Sequence, residues 1–145
     1  KSKTVMKKYS SKDDTEGVFI SSDRAKIVGG RICYIGRNKD LIVSGGININ
    51  LKNMEDLLKE SISDKEVVLV SHKDDEWGET PMVIYQSEKE SLDFINKIRT
   101  YYKENLPKHM VPRHFMSIKN IPRYDNFKVN YTKLSQYVKE NFKWF

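Results

Sequence analysis

Glycine and proline divide this chain between them. All seven glycines lie at or before Gly78, and all four prolines (Pro81, Pro107, Pro112 and Pro122) lie after it. Glycine supplies the positive φ angles of tight turns, so the front of the chain is expected to be turn-rich and β-like. There, Val18 to Ile20, Arg31 to Ile35 and Leu41 to Val43 are short β-rich runs. Gly29-Gly30 sits between Ile27-Val28 and Arg31-Ile32, where a two-residue hairpin turn belongs. Gly45-Gly46 ends the third run. From residue 50 helix and strand patterns alternate. Leu51, Met54, Leu57 and Leu58 share a helical face, with Asn50 as N-cap. Glu66 to Val70 and Met82 to Tyr85 read as strands on either side of a polar loop, Lys73 to Thr80. Ser87-x-x-Glu90 has capping-box spacing, and Leu92, Ile95, Ile98, Tyr102 and Leu106 recur at helical period until Pro107. His114 to Ile118 is strand-like, Arg123 to Phe127 is a polar loop, and Leu134, Tyr137 and Val138 mark a closing helix. This order predicts an α+β fold: a short β-sheet covered by helices, preceded by a β-hairpin segment.

A chain of 145 residues can bury a core without metal or disulfide staples, and 11% aromatic residues separate it from disordered compositions. The single cysteine, Cys33, rules out an internal disulfide and any multi-cysteine zinc site. His72, His109 and His114 show no metal-ligand spacing. No apolar run approaches the roughly 20 residues of a membrane span. Lys1 to Tyr9 is basic and lacks the apolar stretch of a secretory leader, so a cytoplasmic location is expected. A first residue other than Met makes this a piece of a longer protein, as an expectation. The net charge of +6 favours partners that carry phosphate, without choosing among nucleotide, nucleic acid and membrane surface. Lysines are spread over the whole chain, and eight of the twenty stand directly beside an acid, which is the pattern of a solvated mixed-charge surface.

Taken singly, the chemistry-bearing residues do not assign a function. Gly45-Gly46 reads as a turn, Asp23 after Ser21-Ser22 as an Asx-turn, Arg37 as a surface charge and Lys128 as a loop lysine. No glycine-rich loop could cradle a triphosphate, and no Ser–His–Asp set can be argued. Taken in order, they form a pattern. Gly36-Arg37-Asn38-Lys39-Asp40-Leu41-Ile42, then Ser44-Gly45-Gly46-Ile47-Asn48-Ile49, then Glu55, resembles the hinge-and-loop motif of the adenylate-forming enzymes. These are the acyl-CoA synthetases, the adenylation domains of peptide synthetases and the luciferases. Asp75-Glu76-Trp77-Gly78-Glu79 resembles that family's loop between two strands. Leu106-Pro107-Lys108-His109-Met110-Val111-Pro112 resembles its Leu-Pro-x-Tyr-Met-Val-Pro segment. Ile121-Pro122-Arg123, followed by Lys128 and Leu134, resembles its closing Pro-x-x-x-x-Gly-Lys motif. Upstream, Gly17-Val18-Phe19 and Ser21-Ser22-Asp23 stand where the family has Gly-Trp-Phe-x-Thr-Gly-Asp.

The resemblance implies an organisation and a chemistry. Residues 1–39 would be the tail end of a large N-terminal adenylation domain, and residues 40–145 its mobile C-terminal lid. The reaction would join a fatty or aryl acid to MgATP, giving acyl-adenylate and pyrophosphate, and would then form a thioester with coenzyme A. The implied partners are therefore ATP, magnesium, a carboxylic acid and coenzyme A; nucleic acid is not among them. Lys128 would be catalytic, bridging the carboxylate and the α-phosphate or ribose oxygens. Asp23 would accept hydrogen bonds from the ribose hydroxyls, and Arg37 would contact the nucleotide or orient the hinge. Asp40 would be the hinge itself. Ser44, Gly45 and Gly46 would line the pantetheine channel in a second lid position. No residue is implied as a metal ligand.

The chain departs from the family pattern at four places. Phe127 replaces the glycine before the lysine, Tyr131 replaces an arginine shortly after it, Ser21-Ser22 replaces Thr-Gly, and Leu51 replaces the proline that opens the first lid helix. Three alternatives accompany the ligase reading. They are an adenylation domain that loads a carrier protein, a degenerate lid that only mediates protein contact, and a basic nucleic-acid module stacking bases on Tyr101, Tyr102, Tyr124 and Phe127.

Overall fold

The computed structural model describes residues 21–142. The run Val18 to Ile20 and the Gly17-Val18-Phe19 part of the resemblance lie outside the described residues. The chain divides into two compact units, with the boundary between Lys39 and Asp40.

The described part of the first unit is a hairpin. Strands β1 (Asp23–Val28) and β2 (Arg31–Arg37) pair antiparallel. Gly29 and Gly30 join them with φ of 56° and 75°, the left-handed pair that a two-residue hairpin turn demands. The register slips at Arg24/Ala25, and Asp23 and Arg37 are paired at the open end. There the backbone N–H of Asn38 donates to the carbonyl of Ser22 at 2.9 Å.

In the second unit five strands are crossed by three helices. The strands are β3 (Leu41–Ser44), β4 (Ile47–Asn50), β5 (Val67–Asp74), β6 (Gly78–Gln86) and β7 (His114–Ile118). They run in the order β4-β3-β6-β5, with β7 joining β6 in parallel and the other pairings antiparallel. The runs Val67 to Val70 and Met82 to Tyr85 are apolar throughout because both faces of the sheet are covered. On one face, α1 (Leu51–Ser61) and α2 (Leu92–Asn105) pack Met54, Leu58, Ile98 and Tyr102 against Leu69, Val83 and Tyr85. On the other, α3 (Tyr131–Asn141) packs Leu134 and Val138 against Val68, Val70, Met82 and Ile84. Each such aliphatic side chain contributes about 1.5–3 kcal/mol on leaving water. No helix among the described residues is long and apolar enough to cross a membrane.

The α+β architecture is as the sequence predicts, and several local features differ. Gly45-Gly46 ends the third run as expected, but it also turns β3 into β4, a strand the sequence pattern did not reveal. The polar stretch Lys73 to Thr80 is mostly ladder, with β5 running to Asp74 and β6 starting at Gly78. The N-cap of α2 is Ser91, whose hydroxyl accepts from the N–H of Phe94, so the capping box at Ser87 is not formed. Leu92 is consequently 72% exposed and Phe94 joins the core in its place. Pro81 lies inside β6, where the neighbouring strand changes from β3 at Gly78 to β7 at Met82, so its missing N–H breaks no ladder bond.

Candidate functional site

The first unit brings two of the expected residues together. Asp23 and Arg37 are cross-strand partners, with Arg37 Nε 3.5 Å from Asp23 Oδ1. The Ser21 hydroxyl donates to Asp23 Oδ2 at 2.9 Å and accepts from the Asp23 backbone N–H at 3.0 Å. This is a serine turn closed by Ser21, not the Asx-turn at Asp23 that the sequence suggests. Both charged groups are about half exposed, so the ion pair itself adds little stability. What the pairing does is hold a carboxylate and a guanidinium side by side at the open end of the hairpin.

In the second unit Asp40 closes a 3-10 turn (Asn38–Asp40) directly before β3. Ser44, Gly45 and Gly46 then form the tip of the β3–β4 hairpin. Ser44 is buried and pairs with Gly78. Gly45 and Gly46 take φ of 54° and 80°, and their surroundings differ. A Cβ at Gly45 would lie 2.5 Å from Trp77 Cε3, whereas at Gly46 it would meet nothing within 4 Å. The indole of Trp77 therefore fills the space beside Gly45, and the Gly45 N–H donates to the Trp77 carbonyl at 2.9 Å. The Arg113 guanidinium stands 4.9 Å from the Trp77 ring, within cation–π range. The turn is thus buttressed on the Gly45 side and open on the Gly46 side.

Lys128 sits at the end of a tight reverse turn, Tyr124 to Lys128. The Phe127 N–H donates to the Tyr124 carbonyl, and the Tyr124 N–H donates to the Lys128 carbonyl, both at 2.9 Å. Arg123 and Val129 bridge below it. A turn of this shape needs a left-handed residue at its fourth position. Phe127 supplies it with φ of 62°, the only positive φ at a non-glycine among the described residues. Phe127 thus takes a conformation that glycine adopts freely, at about 1–2 kcal/mol for a residue with a Cβ. The loop is held from below by Arg123, whose guanidinium donates to the Phe127 carbonyl and to Glu66. The Lys128 N–H donates to Asn126 Oδ1 at 3.2 Å. The Lys128 ammonium is exposed and forms no ion pair among the described residues.

A buried carboxylate braces this arrangement. Glu55 on α1 accepts from Lys59 Nζ at 2.6 Å, Lys52 Nζ at 3.0 Å, the Leu69 N–H at 3.1 Å and the Tyr131 hydroxyl at 3.1 Å. Burial pushes its pKa up, but the donors from Lys59, Lys52 and Leu69 outweigh that and hold it below the ordinary carboxylate value. Burial and the Glu55 charge together drive the Tyr131 phenol well above its usual range, so it stays a donor. Tyr131, in the place of the family's arginine, thereby ties the start of α3 to α1.

The curated relatives now bear on these features. The 2-succinylbenzoate–CoA ligase of Staphylococcus aureus (strain bovine RF122 / ET3-1) is 33% identical over 121 residues, which is 81% of this chain and 24% of that enzyme. This chain is a homologue of the C-terminal part of the AMP-forming acyl-CoA ligases. It spans about a quarter of the length of the curated relatives it matches. Among solved structures, ATP-bound MatB from Rhodopseudomonas palustris superposes with a TM-score of 0.68 at 22% identity, over 89% of this chain and 26% of that one; this shows the shared fold. The o-succinylbenzoate CoA synthetase (MenE) of Bacillus subtilis, solved with its acyl-adenylate intermediate, gives a TM-score of 0.63 at 26% identity, over 78% of this chain and 23% of that one. No protein-family profile matches the chain.

Among the described residues no three His, Cys, Asp or Glu side chains converge as a metal cluster. Sequence reasoning missed two structural contributors. The Arg123–Glu66 contact joins positions 57 apart, and no local pattern could have paired them. The position of Trp77 against Gly45 is likewise a tertiary contact, visible in the sequence only as an aromatic residue in a polar stretch.

Proposed function

We propose that this chain supplies the moving lid of an AMP-forming acyl-CoA ligase, with an aryl or fatty acid as substrate and coenzyme A as the thiol. The observation that carries the reading is the placement of the two candidate loops. The Gly45-Gly46 turn adjoins the Gly78 end of β6, and the Arg123 anchor of the Lys128 loop adjoins Glu66, beside the Gln86 end. A nine-residue strand separates them by roughly 26 Å at about 3.3 Å per residue. One rigid unit cannot bring both ends to a single reaction centre at once, so it must turn between two half-reactions.

In the first, Lys128 approaches the carboxylate and the α-phosphate. A carboxylate is a poor nucleophile and is repelled by an anionic phosphate, so positive charge and positioning are what a lid can add. A compact ammonium on a flexible stem, presented from a fixed turn, suits that task. Asp23 and Arg37 take the ribose hydroxyls and the nucleotide. In the second, rotation at Asp40 withdraws Lys128 and brings up the Gly45-Gly46 turn. The open side of Gly46 leaves room there for the narrow pantetheine arm. The names of the S. aureus and B. subtilis relatives support an aryl acid and coenzyme A.

The test is Lys128→Ala in the ligase that carries this chain. ATP–pyrophosphate exchange is expected to fall about a hundredfold or more. Thioester formation from supplied acyl-adenylate is expected to stay within about twofold, because Lys128 is then turned away. Equal loss in both half-reactions would overturn the assignment.

A further inference from the structure

Phe127 carries two features that glycine would not. Its backbone is held in the left-handed region that glycine occupies freely, and its ring is 81% exposed, with no ring contact among the described residues. Glycine at this position would remove both the strain and the exposed apolar surface. A strained residue at a functional loop invites the question of what its side chain does when the loop is in use. The ring is one residue from Lys128, with Cα atoms about 3.8 Å apart.

We infer that Phe127 is a specificity-determining residue whose ring packs on the apolar part of the acid next to its carboxylate when Lys128 engages that carboxylate. The inference rests on the reading of Lys128 given above. The occupant follows from the chemistry of an acyl-adenylate. The face of a phenyl ring carries partial negative charge, so phosphate oxygens are poor neighbours for it. The adenine base is set apart from the α-phosphate by the whole ribose. The acyl carbon, by contrast, is bonded directly to the carboxyl carbon that Lys128 holds. Of the parts of the intermediate, the acyl group is therefore the apolar surface nearest to position 127.

The variant Phe127→Gly tests this without endangering the fold, because glycine accepts the observed φ freely. In the 145-residue chain it is expected to raise the urea midpoint of unfolding. In the ligase, adenylation is measured by ATP–pyrophosphate exchange with acetate, hexanoate and benzoate. The kcat/KM for hexanoate and benzoate is expected to fall about tenfold, and that for acetate less than about twofold, since the lost contact is with apolar bulk. A uniform fall for all three acids would overturn the inference, because the ring would then be packing on protein. Unchanged kcat/KM for all three, or a lowered urea midpoint, would overturn it as well. If Lys128→Ala abolishes adenylation while Phe127→Gly is without effect, only this inference fails; if Lys128→Ala spares adenylation, the reading of Lys128 fails first.

Discussion

The Glu55 carboxylate is 2% exposed and still charged, because four donors converge on it. Glu55→Gln removes the charge and leaves Lys59 without its anion, while Lys52 keeps Asp56 at 2.8 Å. Lys52 and Lys59 are half exposed and can turn to water, which limits the loss, so about 2–3 kcal/mol is expected from urea unfolding. The pH dependence follows from the sign of the shift. A carboxylate whose folded pKa lies below its ordinary value of 4.5 contributes stability that is full above that pH and is lost as pH falls through the folded value. The variant should lack that part of the acid profile. The sequence placed Glu55 by resemblance and said nothing of its burial. Apolar periodicity passes over a charged residue between Met54 and Leu58, and its partner Tyr131 lies 76 positions away. The same limit applies at Phe127. The departure from glycine was legible in the sequence, but whether the backbone would yield was decided by the two hydrogen bonds that close the turn.

Among the elements, the β3–β4 hairpin makes the clearest distinction between neighbours. Both turn glycines have positive φ, so alanine at either is strained. Gly46→Ala is expected to cost about 1 kcal/mol from backbone strain alone. Gly45→Ala must in addition displace the Trp77 ring, and about 2–3 kcal/mol is expected from thermal or urea unfolding, by analogy with overpacking. Equal effects would mean that Trp77 does not pack there. Helices α1 and α3 were legible from the spacing of their buried residues and, for α1, from Asn50, whose side chain accepts from the Asn53 N–H. The strand β4 was not, because Ile47 to Asn50 is four residues long and alternates too briefly for a period to show. The capping-box spacing pointed to Ser87 as the start of α2, four residues before the cap that forms. Ser91 caps the helix, while the Ser87 N–H donates to the carbonyl of Ile118 and its hydroxyl accepts from Lys65.

Across the second unit as a whole, stability should have two acid steps. His72 and His114 stack edge-on at 5.0 Å, and Phe142 lies 5.1 and 5.6 Å from the two rings. Burial lowers the pKa of His72, with help from His114 and against Asp74. Burial also lowers that of His114, opposed by Asp74 and assisted by Arg113. The unfolded chain therefore takes up protons first. Stability is full above about pH 6.5, the ordinary imidazole value, and declines as pH falls toward the folded values. Urea midpoints between pH 7.5 and 5.5 should show this decline, and His72→Phe should flatten it; a flat profile in the unaltered chain would count against the burial of the pair. A second decline, belonging to Glu55, should begin near pH 4.5. Glu55 also covers a donor at the margin of the sheet. Among the described residues strand β5 ends the sheet on one side, and its outward-facing Leu69 amide is taken by the Glu55 carboxylate. Without that acceptor the margin of the sheet would present a vacant donor to any passing extended segment, so the failure to be feared is strand-by-strand growth into polymers.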